Sequence, residues 1–264
     1  STSTMVRTLL RFGMLLLPQA VCGFVRTPVV GRSGVAAFSR GLGLGAPARQ
    51  LSMNVGTMTY FAGIKSRGEP TQIIAAYGDV DMDVELIDFE EWGKRKSEKT
   101  PFLPYITSPD GKIMLETTVI HKYLAEVGGK FVVDEATAKL LETANGAPLQ
   151  LADPLYNLPE VPEGVPEYDV WLPLAIDELK KYATELGDGP FFAGENPGYG
   201  EAFVWHNLDQ CFFLAKPEIA EALGEADMAK LEGFYERFAA LDGIKEYLAK
   251  RPTQWGVPGS KANP

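Results

Sequence analysis

Between Thr57 and Glu126 the apolar residues switch repeatedly between strand-like and helical spacing; after Glu135 the strand signal stops. Met58-Thr59-Tyr60-Phe61 is aromatic and β-prone, whereas Ile73, Ile74 and Tyr77 fall at helical spacing. Val84–Ile87 reads as a second strand, and the polar run Phe89–Lys99 as a surface helix or loop. Leu103–Thr107 and Lys112–Leu115 are two further strands. They are joined by the turn Ser108-Pro109-Asp110-Gly111, which makes them a hairpin. Thr117–Glu126 is a helix with Ile120, Tyr123 and Leu124 on one face, stopped by Gly128-Gly129. Beyond the linker Gly128–Asp134 come helices at Ala136–Asn145, Tyr168–Leu186, Gly200–Lys216, Ile219–Leu223, Asp227–Leu241 and Ile244–Ala249. Pro173 is expected in the first turn of the second of these, where a missing N–H is tolerated. Five prolines within residues 146–167 make that stretch an extended excursion, and Arg251-Pro252 ends the folded part.

Strands and interposed helices in that order specify an α/β thioredoxin-like N-terminal domain, residues 54–127. An all-α C-terminal domain follows over residues 135–252, then a tail, 253–264. A glutaredoxin-like redox protein would need a cysteine after the first strand, and none is there. The only cysteines are Cys22 and Cys211, and with two histidines the chain holds too few ligands for a structural zinc site. The formal net charge of −10 argues against nucleic-acid binding, which needs a basic surface.

That charge is unevenly spread. No acidic residue precedes Glu69, and residues 1–53 carry six arginines, leaving 19 basic against 35 acidic residues in the remainder. Arg7 and Arg11 precede a short apolar run at Met14–Leu17 and small residues at Ala20, Cys22 and Gly23. This is a signal-peptide pattern too short to span a membrane. Residues 24–50 continue basic and rich in Ser, Gly and Ala, like a plastid transit peptide. Residues 1–53 are therefore read as a disordered targeting presequence. Its two-part form resembles the leaders of algae with complex plastids; mitochondrial, cytoplasmic and secretory destinations are the alternatives. No transmembrane segment is expected in the mature chain.

Tyr60 ends the first strand, and the first helix begins close after it. Ser66-Arg67-Gly68-Glu69 fits a capping box, with Ser66 taking a free backbone N–H and Glu69 reaching back. A helix N-terminus offers free amides and partial positive charge, which suit an anion. A phenol at the same place can donate a hydrogen bond to a thiolate and lower the thiol pKa.

This stretch resembles the opening of the glutathione transferases, the Tyr-type sigma group above all, and the resemblance extends over roughly Met58–Pro252. It implies that Tyr60 stabilises the glutathione thiolate and that Arg67 assists it. Leu103-Pro104 resembles the family's cis-proline, with Leu103 pairing through its backbone with the cysteinyl residue of glutathione. Glu116-Thr117 resembles the pair that holds the γ-glutamyl ammonium and carboxylate. Trp92 and Lys96 resemble the pair that grips the glycyl carboxylate. The segment Phe192–Glu201 resembles the family's capping loop, with Gly198 in place of the usual hydroxyl and Glu201 as a capping carboxylate. Trp205, Phe212 and Phe213 read as core, and His206 as structural or surface.

The resemblance implies a glutathione transferase that uses glutathione as co-substrate, needs no metal, acts on small apolar electrophiles and forms a homodimer. Two other readings remain open. One is a non-catalytic glutathione-transferase-like module that binds a partner or apolar ligand. The other is a glutathione-dependent isomerase or peroxidase using the same thiolate.

Overall fold

The computed structural model describes residues 54–146 and 168–251. The leader, the proline-rich excursion and the tail lie outside the described residues. Those described all fall within one compact unit, Ser52–Pro264.

Four strands form a sheet in the order β2-β1-β3-β4: β1 Thr57–Phe61, β2 Asp83–Ile87, β3 Tyr105–Thr107 and β4 Ile113–Met114. β1 pairs parallel with β2 and antiparallel with β3, and β4 closes the hairpin against β3. Met58, Thr59 and Tyr60 are all buried, as expected of a central strand covered on both faces. β2 is the opposite case: an edge strand whose Val84 and Leu86 stay exposed.

Two helices cover the sheet through residues of helical spacing. In α1, Gly68–Gly78, Ile73 and Ile74 are fully buried; in α3, Thr117–Gly128, Ile120 and Leu124 are. The two helices approach closely at their ends, where a Cβ built on Gly128 would stand 2.6 Å from the Gly78 Cα. Between β2 and β3, the expected helix or loop is a short helix, α2, Phe89–Arg95, capped by the Asp88 side chain on the Glu91 N–H at 2.7 Å.

The rest is helical among the described residues: α4 Glu135–Gly146, α5 Tyr168–Leu186, α6 Glu201–Leu223, α7 Glu225–Ala239 and α8 Ile244–Lys250. Helix α6 is the axis. Every residue from Glu201 to Cys211 is buried, so it meets neighbours all round. The two helices expected within it run together across a break at Ala215, two residues before Pro217. Trp205 of α6 stacks on Tyr235 of α7, with ring centroids 5.1 Å apart and planes at 4°. Asn207 Nδ2 donates to the Ala144 carbonyl of α4 and the Tyr182 hydroxyl of α5. Pro173 is not in the first turn of α5: it is the sixth residue of that helix, so the ladder lacks a donor there. Phe213 is half exposed rather than core.

Candidate active site

Tyr60 stands one residue from the end of β1, and its ring lies under the start of α1. The packing is close enough that a Cβ on Gly68 would sit 2.3 Å from the ring. Only glycine fits there. The phenol oxygen receives hydrogen bonds from the Ser66 side chain and from the backbone of Arg67 and Gly68. Burial raises its pKa, and those bonds together with the Arg67 charge only partly offset this. The hydroxyl therefore keeps its proton at neutral pH and has it to donate.

The expected capping box does not form. Arg67 occupies the N-cap position and makes no side-chain cap bond, while Ser66 takes a positive φ of 28°. Glu69, expected to reach back to Ser66, turns away into the interior. Its Oε2 meets His206 Nδ1 at 2.7 Å, and its Oε1 accepts from Arg251 Nη1 at 2.7 Å. A buried carboxylate is far better satisfied by a guanidinium and an imidazole than by one helix amide.

The sheet topology brings other expected residues toward the same end. β1–β3 pairing puts Thr59 opposite Tyr105, and β3–β4 pairing puts Ile106 opposite Met114. Tyr60 follows Thr59, Pro104 precedes Tyr105 and Glu116 stands two residues past Met114, so all three lie beyond the last β1–β3 and β3–β4 pairs, toward the same end of the sheet. The Leu103–Pro104 peptide bond is cis. Glu116 is exposed and takes φ 70°, a backbone region sparsely used by residues with a Cβ. Thr117, buried, begins α3 next to it, and no side chain caps the first amides of that helix. On the other flank Trp92 is buried and packs edge-on to Phe61 at 6.2 Å. Exposed Lys96 closes the C-terminal end of α2 through its N–H on the Trp92 carbonyl at 2.9 Å. The arrangement offers a neutral phenol, two helix N-termini and cationic side chains at a sheet end, suited to a small polyanionic ligand with a nucleophilic atom at the phenol.

Matched against known families, residues 167–251 fit the model described as glutathione S-transferase, C-terminal domain. The glutathione S-transferase from Ascaris lumbricoides superposes with a TM-score of 0.60 at 20% identity, covering 74% of this chain and 97% of that one. The chain has the glutathione transferase fold. In sequence it is 24% identical over 207 residues to a glutathione S-transferase of Anopheles gambiae, covering 73% of this chain and 95% of the relative. It is 25% identical over 206 residues to the hematopoietic prostaglandin D synthase of Gallus gallus, covering 74% of this chain and 96% of the relative.

Several features of this glutathione-transferase-fold chain escape a linear reading. His206 is wholly buried, its Nδ1 on Glu69 and its Nε2 against Gln210 Nε2. Asp209 accepts from both terminal nitrogens of Arg251, at 2.9 and 3.0 Å, and from the Tyr235 hydroxyl at 2.8 Å. Lys65 Nζ adds a longer contact at 3.7 Å. Burial alone would raise the pKa of both Glu69 and Asp209; the bonds from His206 and Arg251 and the nearby cations bring both below their usual values. Thr71 donates to the Arg67 carbonyl at 3.1 Å, so the contact of its hydroxyl with His121 Nε2 at 2.9 Å is a bond donated by the imidazole. Burial and the His206 charge push the His121 pKa down to about 3. One signal for the network was available: α6 carries Glu201, His206, Asn207, Asp209 and Gln210 in a helix otherwise read as apolar. Among the described residues no helix is long and apolar enough to cross a membrane.

Proposed function

We propose that the protein is a glutathione S-transferase that conjugates the glutathione thiolate to small, soft electrophiles. The observation that carries this reading is the buried phenol of Tyr60, kept protonated beneath the first helix at the sheet end toward which Pro104 and Glu116 also lie. In this reading Tyr60 donates to the thiolate, and the N–H bonds to its oxygen make it a stronger donor. Arg67 adds positive charge. Thr117 and the α3 amides take the γ-glutamyl carboxylate, and Glu116 its ammonium. Leu103, beside Pro104, meets the cysteinyl backbone in the manner of an added strand. Lys96, with Trp92 bracing its helix, takes the glycyl carboxylate. No metal is called for.

The test is conjugation of a chlorodinitrobenzene-type acceptor. Tyr60→Phe should lower kcat/KM about 10- to 100-fold, the worth of one hydrogen bond to an anion, and retention on immobilised glutathione should survive. A protein that ignores glutathione, or a Tyr60→Phe variant with undiminished activity, overturns the reading. Similarity to a hematopoietic prostaglandin D synthase favours one second reading, a glutathione-dependent isomerase using the same thiolate. Product analysis with an endoperoxide substrate separates the two.

The assembly we propose is a homodimer. Phe102, half exposed on the loop before β3, is an apolar anchor of the kind that a partner covers; sedimentation gives the answer directly. We also propose that residues 1–53 direct import into a plastid, which a fluorescent fusion of that segment tests.

A further inference from the structure

The loop that bonds the Tyr60 oxygen is gripped from outside the site, at both ends, by one pair of side chains. Ser66, Arg67 and Gly68 make those bonds. Immediately before them Lys65 faces Asp209, and immediately after them Glu69 accepts from Arg251. Arg251 also holds Asp209 with both terminal nitrogens. A single guanidinium at the end of α8, a long way along the chain from the site, thus bridges the carboxylates to which both ends of the loop are fastened. A third tether comes from α3, where His121 donates to Thr71 and Thr71 to the Arg67 carbonyl.

Such fastening has a reason. Ser66 holds a positive φ of 28°, which a side-chain-bearing residue keeps only where its surroundings over-determine it. The network joins Lys65 and Arg251 to Glu69 and Asp209, with the Tyr235 hydroxyl, His206 and Gln210 completing the bonds. The Arg251 guanidinium rests on the Trp205 ring, its Cζ 5.3 Å from the centroid, which keeps the fork in the plane that serves two carboxylates.

We propose that Arg251 is a positioning residue for the Tyr60 site, acting through Glu69 and through Asp209–Lys65 to hold the Ser66–Gly68 donors on the phenol oxygen. The inference rests on the reading of Tyr60 as the thiolate donor. Without the guanidinium, Glu69 keeps only His206, Asp209 keeps only the Tyr235 hydroxyl and the longer Lys65 contact, and nothing bridges the two buried carboxylates. Like charges in a low dielectric separate or take a proton. Either response moves Glu69 and, with it, the first turn of α1. The donors leave the phenol, and Tyr60 becomes a weaker hydrogen-bond donor to sulfur.

The experiment compares the full protein with Arg251→Gln, Arg251→Lys, Asp209→Asn and Tyr60→Phe. It reads the pKa of the bound glutathione thiol from thiolate absorbance against pH, and kcat and KM with a chlorodinitrobenzene-type acceptor. Thermal melts confirm that each variant is folded at the assay temperature. Arg251→Gln should raise the bound-thiol pKa by about one unit, a roughly tenfold loss of thiolate at neutral pH. It should lower kcat more than it changes KM for glutathione. Arg251→Lys, which restores the charge, should recover part of the shift. A merely structural role would lower the melting temperature and leave the thiol pKa where it is; that result in a folded Arg251→Gln protein overturns the proposal. Should Arg251→Gln not fold, Asp209→Asn carries the same expectation and the same power to overturn. Tyr60→Phe separates the two layers. A wild-type thiol pKa in Tyr60→Phe removes the thiolate-donor reading itself. A raised pKa in Tyr60→Phe beside an unchanged one in Arg251→Gln removes the positioning role alone.

Discussion

Glu116 holds φ 70° at the junction of β4 and α3, a region where a Cβ costs of the order of 1 kcal/mol and glycine pays nothing. It is exposed, so folding does not need its side chain. If the conformation is kept for ligand, Glu116→Gly should stabilise the fold by about 1 kcal/mol and raise KM for glutathione by roughly tenfold, an ion pair's worth in a partly desolvated site. Denaturant melts and initial-rate kinetics read the two effects separately, and a stability gain without a KM change would strip Glu116 of its role. At this scale the placement of Tyr60 near the end of β1 and of a cis bond at Leu103–Pro104 could be read directly. Tyr60 needed only the end of a β-prone run, and Leu103-Pro104 only a proline after an apolar residue. Glu69 could not be read, because its partners lie 137 and 182 residues further along the chain. A local pattern, the capping box, competed for it and lost to buried charge.

Helix α6 shows how an element can be found from its period and misjudged in its surroundings. Its first carboxylate, Glu201, accepts from the Gly198 N–H and the Ala193 N–H, both at 2.9 Å, as a capping residue should. Gly198, three residues before it, has no side chain to answer that bond, and the N-cap residue Gly200 makes no side-chain cap either. Glu201 is nevertheless wholly buried, its Oε2 has no partner, and burial pushes its pKa up to about 7 from the usual 4.5. A carboxyl that binds its proton more tightly in the folded state stabilises the fold fully below 4.5, and that contribution is lost as pH rises through 7, roughly 3 kcal/mol in all. Glu201→Gln keeps the acceptor and cannot ionise. It should match the parent near pH 4.5 and be more stable by up to about 3 kcal/mol near pH 8. Equal changes of stability between those two pH values in variant and parent would mean that Glu201 is ionised at neutral pH after all. The strand–helix order, the hairpin turn and the helices could be read because each rests on local period and punctuation. The buried polar face of α6 could not, since burial of a helix on every side depends on what packs around it.

Across the whole molecule these charges oppose one another, and the sum sets how the protein meets acid. His121 is buried neutral, with its pKa near 3 rather than the usual 6.5, so the unfolded chain binds a proton over that interval and the folded one does not. Stability therefore falls as pH drops from 6.5 toward 3. Glu201 has the opposite sign between 4.5 and 7. One proton each, in opposite directions, gives slopes of about 1.4 kcal/mol per pH unit that cancel between pH 4.5 and 6.5. Glu69 and Asp209, both held below their usual values, contribute stability that is fully present above pH 4.5 and lost as pH falls through their folded values. Below 4.5 they act together with His121, and nothing at Glu201 offsets them. The expected profile is a plateau of melting temperature from pH 4.5 to 6.5 and a steep acid limb beneath it. Glu201→Gln should tilt the plateau so that stability climbs with pH across it, because only the His121 slope remains. His121→Gln, which keeps an amide N–H for Thr71 and cannot titrate, should tilt it the other way. Calorimetric melts of the three proteins over that range decide the matter: a wild-type plateau that neither variant tilts would mean that these two buried groups do not set the pH response of the fold.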